Sequence, residues 1–165
     1  MRRVLMVAAG VLALTVVNWS ISAREALLRD GRVVLLELAP VDPRSLMQGD
    51  YMALRFKVAD DAFGRGAPDA RPDGHLVVKT DADAVATFVR IDDATPLAAD
   101  EVRLRYRWRA GKPKFATNAY FFEEGTAKAY AGARYGEFRV APDGESILTG
   151  LRDAARQSLG AATAR

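Results

Sequence analysis

The 165 residues carry 24 Lys and Arg against 21 Asp and Glu, half of the chain is hydrophobic, and there are one histidine and no cysteine. That length accommodates one domain plus an extra element, and the apolar content suits a packed core rather than a disordered chain. The absence of cysteine excludes disulfides, c-type haem attachment, thiolate-held iron–sulfur clusters and thiol catalysis, and a single histidine excludes most histidine-based metal sites, so no metal and no cofactor is expected.

Arg2 and Arg3 precede an uncharged stretch from Val4 to Ala23, and the next charges are Arg24 and Glu25. A helix of about 20 apolar residues reaches roughly 30 Å, the thickness of a bilayer's hydrocarbon core. Residues 1–23 therefore read as a membrane anchor that crosses the bilayer through residues 4–23. A cleaved signal peptide is the competing reading, with Ser20 and Ser22 offering a small-x-small site. The uncleaved anchor uses the whole run and continues as helix through Leu27 and Leu28 to a stop at Gly31. In either case the arginine pair holds the N-terminus in the cytoplasm and sends the remainder outward. Once Arg2 and Arg3 are set aside, 22 basic residues face 21 acidic ones, which gives little drive toward phosphate backbones, so no nucleic acid is expected as a partner.

Residues 24–165 are expected to form the outer domain. Val33 to Leu38 read as a strand buried on both faces and stopped by Pro40. Turn residues follow at Asp42-Pro43-Arg44, and the corner Gly49-Asp50 feeds an alternating strand over 51–58, with Met52, Leu54, Phe56 and Val58 on one face. Residues 60–75 carry glycines, prolines and aspartates and read as a polar loop that includes His75. Leu76–Thr80 and Val85–Ile91 form an expected hairpin. Over 102–109, Val102, Leu104, Tyr106 and Trp108 alternate with Arg103, Arg105, Arg107 and Arg109, placing four guanidinium groups on one face. Such a ladder is either a solvated face, balanced by Glu101, Glu137 or Glu145 from neighbouring strands, or a docking face for anionic headgroups or an acidic partner. Gly111-Lys112-Pro113 predicts a turn, the Ala-rich stretch Glu123–Ala133 the outer domain's one short helix, 135–140 and 147–151 two more strands, and 153–165 a frayed helix or tail. The fold class expected is mainly β (α+β): an N-terminal transmembrane helix plus a mostly antiparallel sheet or small barrel.

Gly49, Asp50, Tyr51 and Leu54 match the name-giving pattern of the bacterial GDYXXLXY family, with Phe56 in place of the final tyrosine. Phe121-Phe122-Glu123-Glu124-Gly125 and Ala133-Arg134-Tyr135-Gly136 also resemble that family, in the right order along the chain. The resemblance implies a membrane-anchored, periplasm-facing protein that accompanies a larger polytopic inner-membrane protein. The expected function is that of an accessory or interaction domain, with no catalytic residue assigned. Candidate binding residues are Asp42, Arg44, Glu123, Glu124, Tyr135 and the four arginines of the ladder. The alternative is a carboxylate-dependent periplasmic hydrolase pairing Asp50 with Glu123 or Glu124. Both roles compete with simple structural ones: an aspartate in a turn bonds local amides, and adjacent glutamates project in different directions.

Overall fold

A computed structural model of the chain describes residues 2–39, 47–48, 51–64 and 72–160. It opens with helix α1, Arg2–Asp30, whose Val11, Leu12, Leu14, Val16, Val17, Trp19 and Ile21 all lie exposed. Its stretch Ala9–Asp30 is long and apolar enough to cross a membrane. Among the described residues only its last turns touch the rest of the protein, where Leu27 is buried. The helix stops at Gly31, whose N–H donates to Leu27 O at 2.9 Å. A side chain is impossible there, because a Cβ on Gly31 would meet Leu27 O at 2.4 Å and Arg139 Cβ at 3.0 Å.

The strands that follow are β1 (Arg32–Glu37), β2 (Met47–Gln48), β3 (Tyr51–Ala53), β4 (Gly74–Thr80), β5 (Val85–Ile91), β6 (Glu101–Arg109), β7 (Lys112–Lys114), β8 (Ala119–Phe121), β9 (Tyr135–Val140), β10 (Ser146–Arg152) and β11 (Ser158–Leu159). Eight of them form one sheet in the order β11-β10-β9-β1-β5-β4-β6-β7, and β2-β3-β8 form a second. β1 and β5 run parallel, while the other pairs are antiparallel. β1 holds the centre, with Val34, Leu35 and Leu36 all buried, as a strand covered on both faces requires. The large sheet curls until the turn between β9 and β10 returns to β6, where the Arg105 N–H donates to Gly144 O at 2.9 Å. Inside the curl sit Val34, Leu36, Leu76, Val78, Leu104, Phe115, Phe138 and Val140.

Five expectations along the chain are corrected. The strand over 51–58 ends at Ala53, and Lys57–Phe63 forms helix α2, which also replaces the first part of the polar loop over 60–75. Val58, Ala59, Ala62 and Phe63 make a helical stripe, and a Lys57–Asp61 ion pair at 2.8 Å bridges one turn. Phe63 lands edge-on against Tyr106 and Trp108, so the stripe closes one end of the core. The last part of that loop is strand as well: His75 is half-buried in β4, opposite Arg105.

The helix over 123–133 is absent, and only Ala127–Tyr130 make a single 3-10 turn. Gly125 there adopts φ +80°, a conformation that breaks a helix. The turn at 111–113 lies one residue earlier, at Ala110-Gly111, both with positive φ, so Lys112–Lys114 are free to pair as edge strand β7. Pro113 is tolerated there because an edge strand need not donate outward. Residues 153–160 are not helical either: Asp153 caps a tight turn by accepting from the Gln157 N–H at 2.8 Å, and β11 then pairs with β10.

Candidate functional site

The two motif regions, about seventy positions apart in the sequence, meet in the small sheet. Tyr51 lies opposite Phe121, Met52 opposite Tyr120 and Ala53 opposite Ala119. Alternation then sorts the first motif into two faces. Met52, Leu54 and Phe56 point inward, and Phe56 is only 1% exposed. Its ring meets Phe138 at 5.4 Å and Phe115 at 6.0 Å, both edge-on. Gly136 of the second motif lies directly beneath, since a Cβ there would sit 2.9 Å from the Phe56 ring. A phenol at position 56 would bring a hydroxyl into this apolar cluster, which phenylalanine avoids.

The other face points out. Tyr51 and Phe121 pair with ring centroids 5.8 Å apart, and Phe121 is 73% exposed. Behind them Tyr130 contacts both Tyr120, at 5.3 Å, and Phe122, stacked at 5.2 Å. Burial, and then the hydrogen bond with Tyr130, pushes the Tyr120 hydroxyl above its ordinary pKa. Tyr135 is half-buried at the start of β9, opposite Glu37 and Arg152.

Glu123 and Glu124 follow β8 in a turn and are both exposed. The Glu123 carbonyl accepts from the N–H and the hydroxyl of Thr126, at 3.0 and 2.6 Å, which holds the turn in place of a helix. Gly49, Asp50, Asp42 and Arg44 lie outside the described residues. Among the described residues no group of three His, Asp or Glu side chains could hold a metal ion.

The arginine ladder of β6 has one face as expected, and each of its members meets a carboxylate. Arg103 pairs with Asp92 at 2.6 Å and Arg109 with Asp73 at 2.8 Å, while Arg105 and Arg107 share Glu145, the latter at 3.0 Å. Of the three glutamates expected to face it, only Glu145 does so. Glu101 pairs with Arg90 and Glu137 with Arg152. The other two acids stand where β4 begins and where β5 ends, beside β6 across the sheet, a placement visible only once strand order is known. The hydrogen bond from Arg103 holds the Asp92 carboxyl below its ordinary pKa. The hydrogen bonds from Arg109 and then from the Trp108 N–H do the same for Asp73.

Where the curled sheet comes back on itself, between β6–β7 and the start of β10, a cleft of about 250 Å³ opens. Arg24 of α1, Arg105 and Arg107 of β6, and Lys114 of β7 line it, together with Glu145 and the half-buried Ile147 and Leu148. Arg24 and Lys114 are exposed and have no carboxylate partner among the described residues. Sequence reading did not assemble this group, because its members come from four separate segments and carry no shared spacing.

No curated protein and no solved structure matches the chain. A profile of the GDYXXLXY protein family matches residues 13–151, which take in part of α1's apolar stretch, both motif regions and nearly all of the sheet. The chain belongs to the GDYXXLXY family.

Proposed function

We propose that this protein is an accessory domain, tethered to the inner membrane by residues 1–23, whose periplasmic body docks a larger polytopic membrane protein through the Tyr51–Phe121 edge. The observation that carries this reading is the exposed Phe121 ring, paired with the half-buried Tyr51, at the junction of the two motifs. An exposed phenylalanine beside a tyrosine supplies a rigid apolar contact of the kind that anchors protein interfaces. The arginine pair ahead of the apolar run supports a cytoplasmic N-terminus and a body on the far side. The polytopic partner follows from what family membership implies, and the paired state of the β6 arginines favours the aromatic edge over the arginine ladder as the contact.

Affinity capture of the full-length protein from detergent-solubilised membranes tests this. One large integral protein is expected to co-purify, and Phe121→Ala is expected to reduce its recovery at least tenfold, the loss of a central aromatic anchor. Recovery that is unchanged by the substitution, or capture of no integral protein, would defeat the reading.

A further inference from the structure

In the cleft at the sheet's seam, cations outnumber acids on a concave surface. Four cationic side chains converge there, and Glu145, already engaged by Arg105 and Arg107, is the only carboxylate among them. Glu145 offsets two of these charges, and the charges of Arg24 and Lys114 leave the cleft with a net positive balance that favours an anion. Two guanidinium groups on one strand face present planar donor forks of the kind that suits phosphate oxygens. The floor is not purely polar, since Ile147 and Leu148 add apolar surface beside the cations.

Its position selects the source of the anion. Arg24 is the first charged residue after the uncharged run 4–23, so its guanidinium stands at the boundary between hydrocarbon and headgroups when α1 spans a bilayer. A cleft lined by that side chain lies within reach of the lipid surface, with apolar wall available to the first carbons of a glycerol backbone. We infer that this cleft binds the phosphodiester headgroup of an anionic phospholipid, clamped between Arg24 on the helix and Arg105, Arg107 and Lys114 on the body. The bound headgroup bridges the end of α1 to the seam and so fixes how the body stands on the membrane. This rests on the membrane-anchored part of the proposed function but not on the partner protein.

The test uses full-length protein released from nanodiscs of mixed phosphatidylcholine and phosphatidylglycerol, with retained lipid identified by native mass spectrometry. Phosphatidylglycerol is expected to be retained in preference to phosphatidylcholine, and Arg24→Gln and Lys114→Gln each to lower that preference about fivefold. Both side chains are exposed and unpaired among the described residues, so unchanged melting of the variants accompanies the loss. Arg29→Gln removes the same charge from the same helix outside the cleft and is expected to change nothing. An equal loss with Arg29→Gln would reduce the effect to general surface attraction and overturn the site. Displacement of the lipid by inorganic phosphate alone would reassign the cleft to a free anion and overturn the lipid. Alkaline carbonate extraction separates the two readings. If the chain stays with the membrane but shows no lipid preference, the cleft proposal fails alone. If the chain is released, the anchor fails and takes the lipid assignment with it.

Discussion

The motif junction and the arginine face of β6 are both built on strands whose inward residues fill the same core, yet their outward residues are treated differently. On β6, Val102, Leu104, Tyr106 and Trp108 go in, and every outward arginine finds a carboxylate from a residue flanking β4, β5 or β10. On β3 and β8, Met52 goes in, but on the outward side Phe121, paired with the half-buried Tyr51, stays in solvent. Charge density therefore misleads as a guide to a contact surface. Four arginines in a row look like an invitation to a partner, but ion pairs at a protein's own surface can answer them. The exposed ring of Phe121 is different, because an apolar surface gains free energy only when something covers it.

The sharpest way to break this comparison is to attack the buried half of the junction. Phe56→Ala removes a ring packed against Phe115, Phe138 and Gly136, and about 3–5 kcal/mol of stability should go with it. Gly136→Ala attacks the same contact from below, placing a methyl 2.9 Å from the Phe56 ring and 3.1 Å from Phe138, for a loss of about 1–3 kcal/mol. Because the two residues touch, Phe56→Leu combined with Gly136→Ala should cost less than the sum of the single changes. Denaturant unfolding of the full chain in detergent measures all four. Strict additivity would show that the two motifs are not packed through this contact.

How legible this was in the sequence depends on how far each signal reaches. β6 was readable because nine alternating residues leave no helical interpretation, and β1 because an unbroken apolar run suits a central strand. α2 was not, because Val58 satisfies both periods: it stands two after Phe56 and four before Ala62, so the strand pattern overran the helix start. The Ala-rich segment at 123–133 failed in the opposite direction, since helix propensity is weak and a glycine at positive φ overrides it. The family motif pointed to the junction, but not that Tyr51 faces Phe121, which requires the β3–β8 pairing. The cleft was invisible, because Arg24, Arg107, Lys114 and Glu145 come together only when the sheet curls.

The arginine face offers a second, smaller test through pH. The hydrogen bond from Arg103, and then its charge, depress the Asp92 carboxyl below its usual 3.8 in the folded state. A depressed folded pKa contributes stability that is fully present above the unfolded value and is lost as pH falls through the folded one. Melting temperature should accordingly hold steady at neutral pH and drop on acidification below about pH 4. Asp92→Asn should lower stability by about 1 kcal/mol at pH 7 and make the acid drop shallower. Asp73, Asp100 and Glu101 are depressed in the same direction by Arg109, Lys79 and Arg90, so part of the acid drop remains in that variant. Acid limbs that superimpose for the two proteins would show that the Arg103–Asp92 pair does not contribute to folding.

The smallest expected change in stability is at Phe121, and its smallness is what makes it informative. Phe56 and Phe121 are the same residue type at the same junction, but one is 1% and the other 73% exposed. Truncating Phe121 to alanine removes almost no buried area, so stability should stay within about 0.5 kcal/mol of the parent. Recovery of the proposed integral membrane partner should nevertheless collapse. A variant that instead unfolds along with Phe56→Ala would make the aromatic edge a part of the core. In that case, sparing the fold while losing the partner would have to be sought elsewhere on the surface. Tyr51→Phe refines the result, because it keeps the ring pair and removes only the hydroxyl. If the edge acts through its apolar area, Tyr51→Phe retains the partner that Phe121→Ala loses.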